Sequence, residues 1–304
     1  MKRLVRYAFI AVPILSVLLS ACMFTGVENT GHIKLSKDDI KAVNTLSAED
    51  ALISEIRPDS VCNWQVGKPF LATSDRTEYI FTAPEANPYG KILRYLRSYP
   101  STTPSGKNAF SIIFSDAEGR EYLYTREGGN DFTSADIPMM LDIDLVARVD
   151  SLLRGRTVYP RTRFWQSPDN DDKIIAEQQL VPVVVERVEP HNAEYPCKLI
   201  FSSNDGKRGA LFFNPDLNSS RSFSTQFAIT DPRLSYPKIE PEKWAEIQKG
   251  RLLYGMTKQE VRLAVGNPDD IQSGHDYSKV IELWQYSDGT YLRFEDGLLV
   301  SFRR

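Results

Sequence analysis

The middle of the chain contains two segments of similar sequence, and this internal repeat limits the folds that the chain can adopt. The first segment includes VGKPFLATSDRTEYIF and FSIIFSDAEGREYLY, and the second includes RGRTVYPRTRFW and CKLIFSSNDGKRGALFF. Gly67 then corresponds to Gly155 and Phe114 to Phe201, at offsets of 88 and 87 residues. A period of this length that occurs only twice argues against a solenoid and indicates two tandem domains.

Each copy of the repeat has the pattern of a small, strongly bent antiparallel sheet. Short β-branched and aromatic runs, such as residues 112–114 and 183–185, are separated by turn signals such as residues 116–119 and 204–206. We therefore expect five strands in each copy, in an arrangement that resembles the Src-homology-type small β-barrels of bacterial envelope proteins. The predicted fold class is a multidomain, mainly β protein with tandem small β-barrels followed by an α+β domain.

A helical pair is predicted after a Pro-rich stretch, toward the C-terminal end. In the run KWAEIQKGRLLYGMTKQEVRLAVGNPDD, Thr257 and Glu260 have the spacing of a capping box, which begins a helix. Gly266 and Pro268 supply the signal that ends it, and a shorter helix around Trp244 precedes it. Three strands separated by glycine turns are then expected, at residues 281–286, 290–294 and 298–302. These elements predict an αα-βββ meander with the helices on one face.

The same C-terminal run carries a family resemblance. The combination of GMTKQEVRLAVGNPD, LWQY, YLRF and GLLVSF resembles the BamE/SmpA/OmlA-like domain of bacterial envelope lipoproteins. The resemblance implies a role in outer-membrane protein assembly, with contacts to another envelope protein and to lipid. Strand alternation places Tyr291 and Arg293 on one sheet face, so these two, with Trp284 and Tyr286, are candidate partner-binding residues. For Trp284 the favoured explanation is packing beneath the helix.

The first 22 residues have the pattern of a secretory signal. Lys2, Arg3 and Arg6 precede an almost wholly apolar run, residues 7–19, that is shorter than a membrane-spanning helix. The sequence LSAC that follows resembles the lipobox of bacterial lipoproteins, which implies that Cys22 receives diacylglycerol and becomes the first residue after cleavage. The alternative is an ordinary signal peptide with a coincidental cysteine. We expect a lipid anchor at Cys22, which holds the protein at the outer membrane, facing the periplasm.

These signals divide the chain into six parts. The predicted parts are a lipoprotein signal peptide (1–21), a lipid-anchored tether (22–56), a first small β-barrel (57–132), a second with a leading helix (133–214), a Pro-rich linker (215–240) and a BamE/SmpA-like domain (241–304). We expect the barrels and the last domain to fold independently, with few contacts across the linker.

The sequence offers few groups for chemistry. The formal net charge of −3 argues against a nucleic-acid partner. His32, His191 and His275 lack neighbours at metal-ligand spacing, and the acidic residues 169–173 read as a solvated loop more readily than as a calcium site. We therefore predict no metal, no cofactor and no enzymatic activity. Export permits a disulfide between the two cysteines that follow the anchor, Cys62 and Cys197, or both can be buried thiols.

The sequence is compatible with two main functions. The first is a non-catalytic outer-membrane lipoprotein that serves as a docking or scaffold component in envelope assembly or maintenance. The alternative is a periplasm-facing lipoprotein that binds a peptide or peptidoglycan fragment through aromatic residues of the tandem barrels. The aromatic candidates are Tyr79, Tyr95, Tyr99, Tyr159, Phe164 and Trp165, and packing inside the barrels is their other explanation. A hydrolase with an unrecognised site is a third and more distant class.

Overall fold

The computed structural model describes residues 46–82, 84–276 and 279–303. The predicted signal peptide, the predicted anchor Cys22, His32 and most of the predicted tether lie outside these residues. The described part is mainly β, with three antiparallel sheets and short helices. Within it, no helix has the length and apolar character that crossing a bilayer requires.

The α-helices of the described residues are short. They are α1 (Ala48–Ile53), α2 (Ile143–Leu153), α3 (Phe223–Gln226), α4 (Pro232–Ser235), α5 (Pro241–Gln248) and α6 (Lys258–Val265). Turns of 3₁₀ helix lie at Val61–Asn63, Asp75–Ile80 and Ser134–Asp136.

The strands form three sheets in chain order. The first sheet contains β1 (Pro69–Ala72), β2 (Ile92–Thr102), β3 (Asn108–Ser115), β4 (Glu121–Glu127) and β5 (Met140–Asp142). The second contains β6 (Thr157–Pro160), β7 (Phe164–Ser167), β8 (Asn170–Ala176), β9 (Val183–Pro190), β10 (Cys197–Ser203), β11 (Arg208–Phe213) and β12 (Phe227–Ala228). The third contains β13 (Asp270–Asp276), β14 (Lys279–Gln285), β15 (Tyr291–Glu295) and β16 (Leu298–Arg303).

The strand order of the first sheet recurs in the second. The first sheet has the order β4-β3-β2-β1-β5, and the second contains β11-β10-β9-β6-β12 in the same relation to the chain. A register shift marks the same place in both sheets, beside Phe114 in the first and Phe201 in the second. The second sheet carries in addition the hairpin β7–β8 on the outer edge of β11, so it has seven strands where five were expected.

Three short elements lie outside the limits expected for the repeats. Strand β5 follows residue 132, and β12 lies in the stretch 215–240 that was expected to be a linker. Helix α1 lies in the predicted tether, and its Ile53 is buried in the core of the second sheet. Strands of two or three residues are too short to show the alternation that identifies a strand in a sequence.

Each of the first two sheets has its own core. The first core is rich in aromatic rings, and the side chains of Trp64 and Phe70 lie 4.9 Å apart between ring centroids. In the second core, Trp165 packs edge-on against Phe201 at 4.9 Å. A Cβ atom at Gly209 would lie 2.7 Å from the Trp165 ring, so this position of β11 requires glycine.

The C-terminal part follows the predicted pattern, with one strand more than expected. The capping box is confirmed: the Thr257 hydroxyl accepts from the Glu260 amide at 3.2 Å, and the Glu260 carboxylate accepts from the Thr257 amide at 2.7 Å. The residues around His275, which precede the three predicted strands, form an additional strand, β13, that pairs with β14 along its whole length. The described side chains of β13 are exposed and mostly polar, so its sequence lacks the apolar alternation of a half-buried strand.

The C-terminal helices and the third sheet also contact the loop that joins β8 to β9 in the second sheet. Leu180, which is 5% exposed, belongs to the core formed by α5, α6 and the third sheet. The side-chain amide of Gln179 donates to the carbonyl oxygens of Ile247, Leu263 and Ala264 at 2.7–3.0 Å. This differs from the expectation of few contacts, and Leu46–Arg304 forms one compact unit.

Candidate docking surface

The third sheet has one face covered by helices and one face uncovered. Trp284, Leu292, Phe294 and Leu299 are buried in the core beneath α5 and α6. Because successive residues of a strand point to opposite faces, the residues between them point away from the helices. We call this second side the outer face, defined by Ile281, Leu283, Gln285, Tyr291, Arg293, Glu295, Leu298, Ser301 and Arg303.

The register of the strands fixes the neighbours on the outer face. Leu283 lies opposite Arg293, and Tyr291 lies opposite Arg303. The exposed fractions of Leu283, Tyr291 and Leu298 are 45%, 47% and 46%. Large apolar side chains are therefore spread across a polar sheet surface, in the mixture that protein interfaces commonly have.

Charged groups on the outer face are held in place by ion pairs. Glu295 accepts from Lys279 at 2.7 Å and lies 3.0 Å from Arg293. The hydrogen bond from Lys279 is the main reason why the pKa of Glu295 lies below its usual value. Exposed pairs of this kind contribute little to folding, but they fix the orientation of charges that a partner would meet.

Two of the four predicted partner-binding residues do not lie on this face. Trp284 is 0% exposed, and its ring is covered by the Arg262 guanidinium, which lies 4.6 Å from the ring centroid. Its indole N–H donates to Glu282 at 3.1 Å. Trp284 is thus a core residue and is unavailable to a partner, because its position on β14 points toward α6.

Tyr286 is half-buried on the helix side of the sheet. Its hydroxyl donates to the carbonyl oxygen of Gly266 at 3.0 Å, which ties the sheet to the end of α6. It also lines a cleft of about 500 Å³ shared with Arg163 and Arg262. Of the predicted set, the structure brings together Tyr291 and Arg293 and separates Tyr286 and Trp284 from them.

The sequence reasoning missed Leu283 and Leu298 as members of the outer face. The same alternation that singled out Tyr291 also applies to β14 and β16. Cross-strand pairing of β14 with β15 would have placed Leu283 beside Arg293, so the signal was present in the sequence.

The aromatic residues proposed for a groove in the repeats are not gathered at one surface. Tyr95 and Trp165 are buried in separate cores. Tyr79, Tyr99 and Phe164 are exposed, and Tyr159 is half-buried. Packing explains the first two, and the others lie on different parts of the two sheets.

The cysteines that could have formed a disulfide are both free thiols. Cys62 is exposed in a 3₁₀ turn of the first repeat, where its sulfur accepts from the Asn130 side chain at 3.0 Å. Cys197 is buried in strand β10, and burial raises the pKa of its thiol. Cys62 belongs to the first repeat and Cys197 to the second, and the disulfide that the sequence left open is not formed.

The acidic stretch 169–173, expected to be a solvated loop, begins in the turn of the β7–β8 hairpin and continues along strand β8, where its residues are exposed. Asp171 pairs with Lys198 at 2.5 Å and lies 3.5 Å from His191, whose ring stacks on Phe212. In the part of the chain that the structure describes, no three His, Cys, Asp or Glu side chains are grouped to hold a metal ion.

No protein-family model matches the chain, and no curated protein matches it. The resemblance of the C-terminal residues to BamE-like domains therefore stays a prediction from the motifs themselves.

Proposed function

We propose that this protein is a non-catalytic outer-membrane lipoprotein that acts as a docking or scaffold component in envelope assembly or maintenance. The observation that carries the docking role is the outer face, an uncovered sheet surface with exposed Leu283, Tyr291 and Leu298. Aromatic and arginine side chains are the residues that most often dominate binding energy at interfaces, and Tyr291 and Arg293 lie side by side along β15. The partner is another envelope protein.

The location rests on the N-terminal sequence. The basic residues, the short apolar run and the LSAC motif support lipid attachment at Cys22. Acyl chains on this residue anchor the protein, because each buried methylene contributes about 0.8 kcal/mol of membrane affinity. The folded part then faces the periplasm from the outer membrane.

The two repeats are small barrels of the Src-homology type in this proposal. Four antiparallel strands in the same order, with a fifth strand beside the first, support this assignment in both copies, although the second copy inserts the β7–β8 hairpin between its first two strands. A helical turn precedes the fifth strand in each, at Ser134–Asp136 and Phe223–Gln226. Ligand binding by these repeats is the second candidate function, and an apolar groove between them favours it.

Co-purification tests the docking role. The double variant Tyr291→Ala with Arg293→Ala is compared with a matched pair on the first repeat, Arg76→Ala with Tyr79→Ala, whose side chains are also exposed. Each full-length protein is isolated from membranes, and the co-purifying proteins are quantified by mass spectrometry. We expect one envelope protein to be lost about tenfold from the first variant alone. Equal recovery from both variants contradicts the proposal.

A further inference from the structure

A groove of about 760 Å³ lies between the two repeats. One wall is the end of the first repeat, including residues 133–142, and the opposite wall is formed by the loops at residues 193–196 and 214–218 of the second. Its size is within the usual range for sites that bind small molecules or peptide segments. The groove lies close to the core of each repeat. It shares no residue with the outer face.

The walls of the groove are aliphatic. They are lined by Ile56, Pro58, Ile137, Pro138, Met139, Met140, Leu141, Leu145, Pro196, Pro215 and Leu217. Met139 has a φ of 59°, in the left-handed region that is uncommon for a residue with a side chain. Its carbonyl oxygen is held by two hydrogen bonds from Thr73, so the surrounding structure maintains this conformation.

Two buried oxygen atoms belong to residues that line this groove and have no hydrogen-bond partner among the described residues. They are Asp142 Oδ2 and Ser134 Oγ. The Asp142 side chain is 2% exposed, and its other oxygen accepts from Lys68 at 2.9 Å and from the Leu145 amide at 3.2 Å. Both atoms lie below the surface of the groove, and the Asp142 charge is offset there by Lys68 and the Leu145 amide rather than by an occupant.

The residues that line the groove carry more negative than positive charges. Arg57 is the cationic side chain among the lining residues, whereas Asp142, Glu194 and Asp216 are acidic. Lys68 neutralises Asp142 only in part, because its ammonium group also pairs with Asp59 at 3.0 Å and with Asp144 at 3.4 Å. The groove therefore favours a cationic occupant and disfavours an anionic lipid.

An edge strand runs along the groove. Strand β5 is the last strand of the first sheet, it pairs with β1, and its three residues all line the groove. All three residues are buried, so this edge is covered and is not open to main-chain pairing with another chain.

We propose that the groove binds an extended apolar peptide segment that carries a basic residue. The apolar side chains of the peptide cover the aliphatic walls, and its basic group lies near the exposed Glu194 and Asp216. This inference rests on the second candidate function and is independent of docking through the outer face.

Fluorescence anisotropy tests the proposal with a capped, labelled heptapeptide of valine and leucine that has one central lysine. The full-length protein is held in lipid nanodiscs, and empty nanodiscs give the background. Glu194→Lys reverses a charge at the exposed rim, and Ala193→Trp fills the groove from an exposed position. Glu85→Lys, at an exposed site outside the groove, is the matched control.

We expect saturable binding that weakens about tenfold in Glu194→Lys and in Ala193→Trp and stays unchanged in Glu85→Lys. The same peptide with glutamate in place of lysine should bind about tenfold more weakly. No saturable binding, equal binding of both peptides, or displacement of the peptide by palmitate would overturn the inference, and the last result would assign the groove to an acyl chain. Loss of docking in the Tyr291 and Arg293 variant leaves all these outcomes unaffected, so the two proposals fail separately.

Discussion

Trp284 and Tyr291 lie on opposite faces of the same four-stranded sheet, the first completely buried and the second 47% exposed. Trp284 fills the space between the sheet and α6, with the Phe294 ring 4.5 Å away between centroids. Trp284→Ala should therefore lower the free energy of unfolding by about 3–5 kcal/mol. Tyr291→Ala should change it by less than about 0.5 kcal/mol, because the side chain covers no core.

Urea denaturation followed by circular dichroism measures both variants. A similar loss of stability in the two would mean that Tyr291 packs against another part of the chain, and the outer face would then not be a free surface.

Gln179 connects the second repeat to the C-terminal helices. Gln179→Ala leaves three carbonyl oxygens of α5 and α6 without the amide that now donates to them. We expect a loss of about 1–3 kcal/mol in the free energy of unfolding. Gln178→Ala, at the neighbouring exposed residue, is the control and should be neutral. Hydrogen exchange of the α6 amides gives a second reading, since protection should fall in the first variant; unchanged exchange would contradict this role.

Asp116 makes stability depend on pH. Burial alone would raise the pKa of its carboxyl, but hydrogen bonds from Arg120 at 2.7 Å, Lys91 at 3.2 Å and Tyr122 at 3.1 Å outweigh burial and hold the pKa well below its ordinary value of 3.8. A carboxyl with a lowered pKa in the folded state stabilises the protein above the unfolded-state value, and the stabilisation is lost as the pH falls below that value.

The variant Asp116→Asn removes this dependence. Wild type should be more stable than Asp116→Asn at pH 6, and the difference should shrink steadily below about pH 4. Thermal unfolding across this range tests it. A difference that stays constant down to pH 2 would show that the carboxylate charge does not matter.

Cys22 is the predicted site of lipid attachment. Cys22→Ala should move the protein from the membrane fraction to the soluble fraction, because the acyl chains are the proposed anchor. Fractionation of cells and immunodetection measure this shift, with Cys62→Ala as the matched cysteine control. Continued sedimentation with membranes in high salt would require another anchor.

Elements could be predicted from the sequence where a regular residue pattern is combined with a clear signal for the start or the end of the element. The capping box of Thr257 and Glu260 begins α6 as predicted. The turn at residues 204–206 joins β10 to β11, and Gly206 adopts the positive φ that such a turn needs. The repeat was visible because Phe114 and Phe201 occupy the same place beside a register shift.

Elements whose formation depends on distant partners could not be predicted in this way. Strand β12 has two residues and forms only because Phe227 and Ala228 pair with β6, more than 60 residues earlier in the chain. Strand β13 is polar and becomes a strand through its pairing with β14. The contacts of Gln179 have no local signature, since its partners lie 68–85 residues away.

The same limit applies to the candidate sites. Alternation identified Tyr291 and Arg293, because it depends on neighbours along one strand. For Trp284 the sequence favours packing beneath the helix, and its buried position in the core with α5 and α6 confirms this prediction. The groove between the repeats was not predicted, because its two walls come from segments that are far apart in the chain, with 48 residues from Leu145 to Ala193.

Photocrosslinking in living cells tests the docking role of the outer face most directly. The crosslinking residue p-benzoyl-phenylalanine replaces Leu283 or Tyr291 on the outer face, and Tyr79 on the first repeat as a control that is more exposed than either. We expect positions 283 and 291 to give the same adduct with one envelope protein, and we expect position 79 not to give this adduct. The absence of an adduct from both outer-face positions, or an identical adduct from position 79, would contradict it.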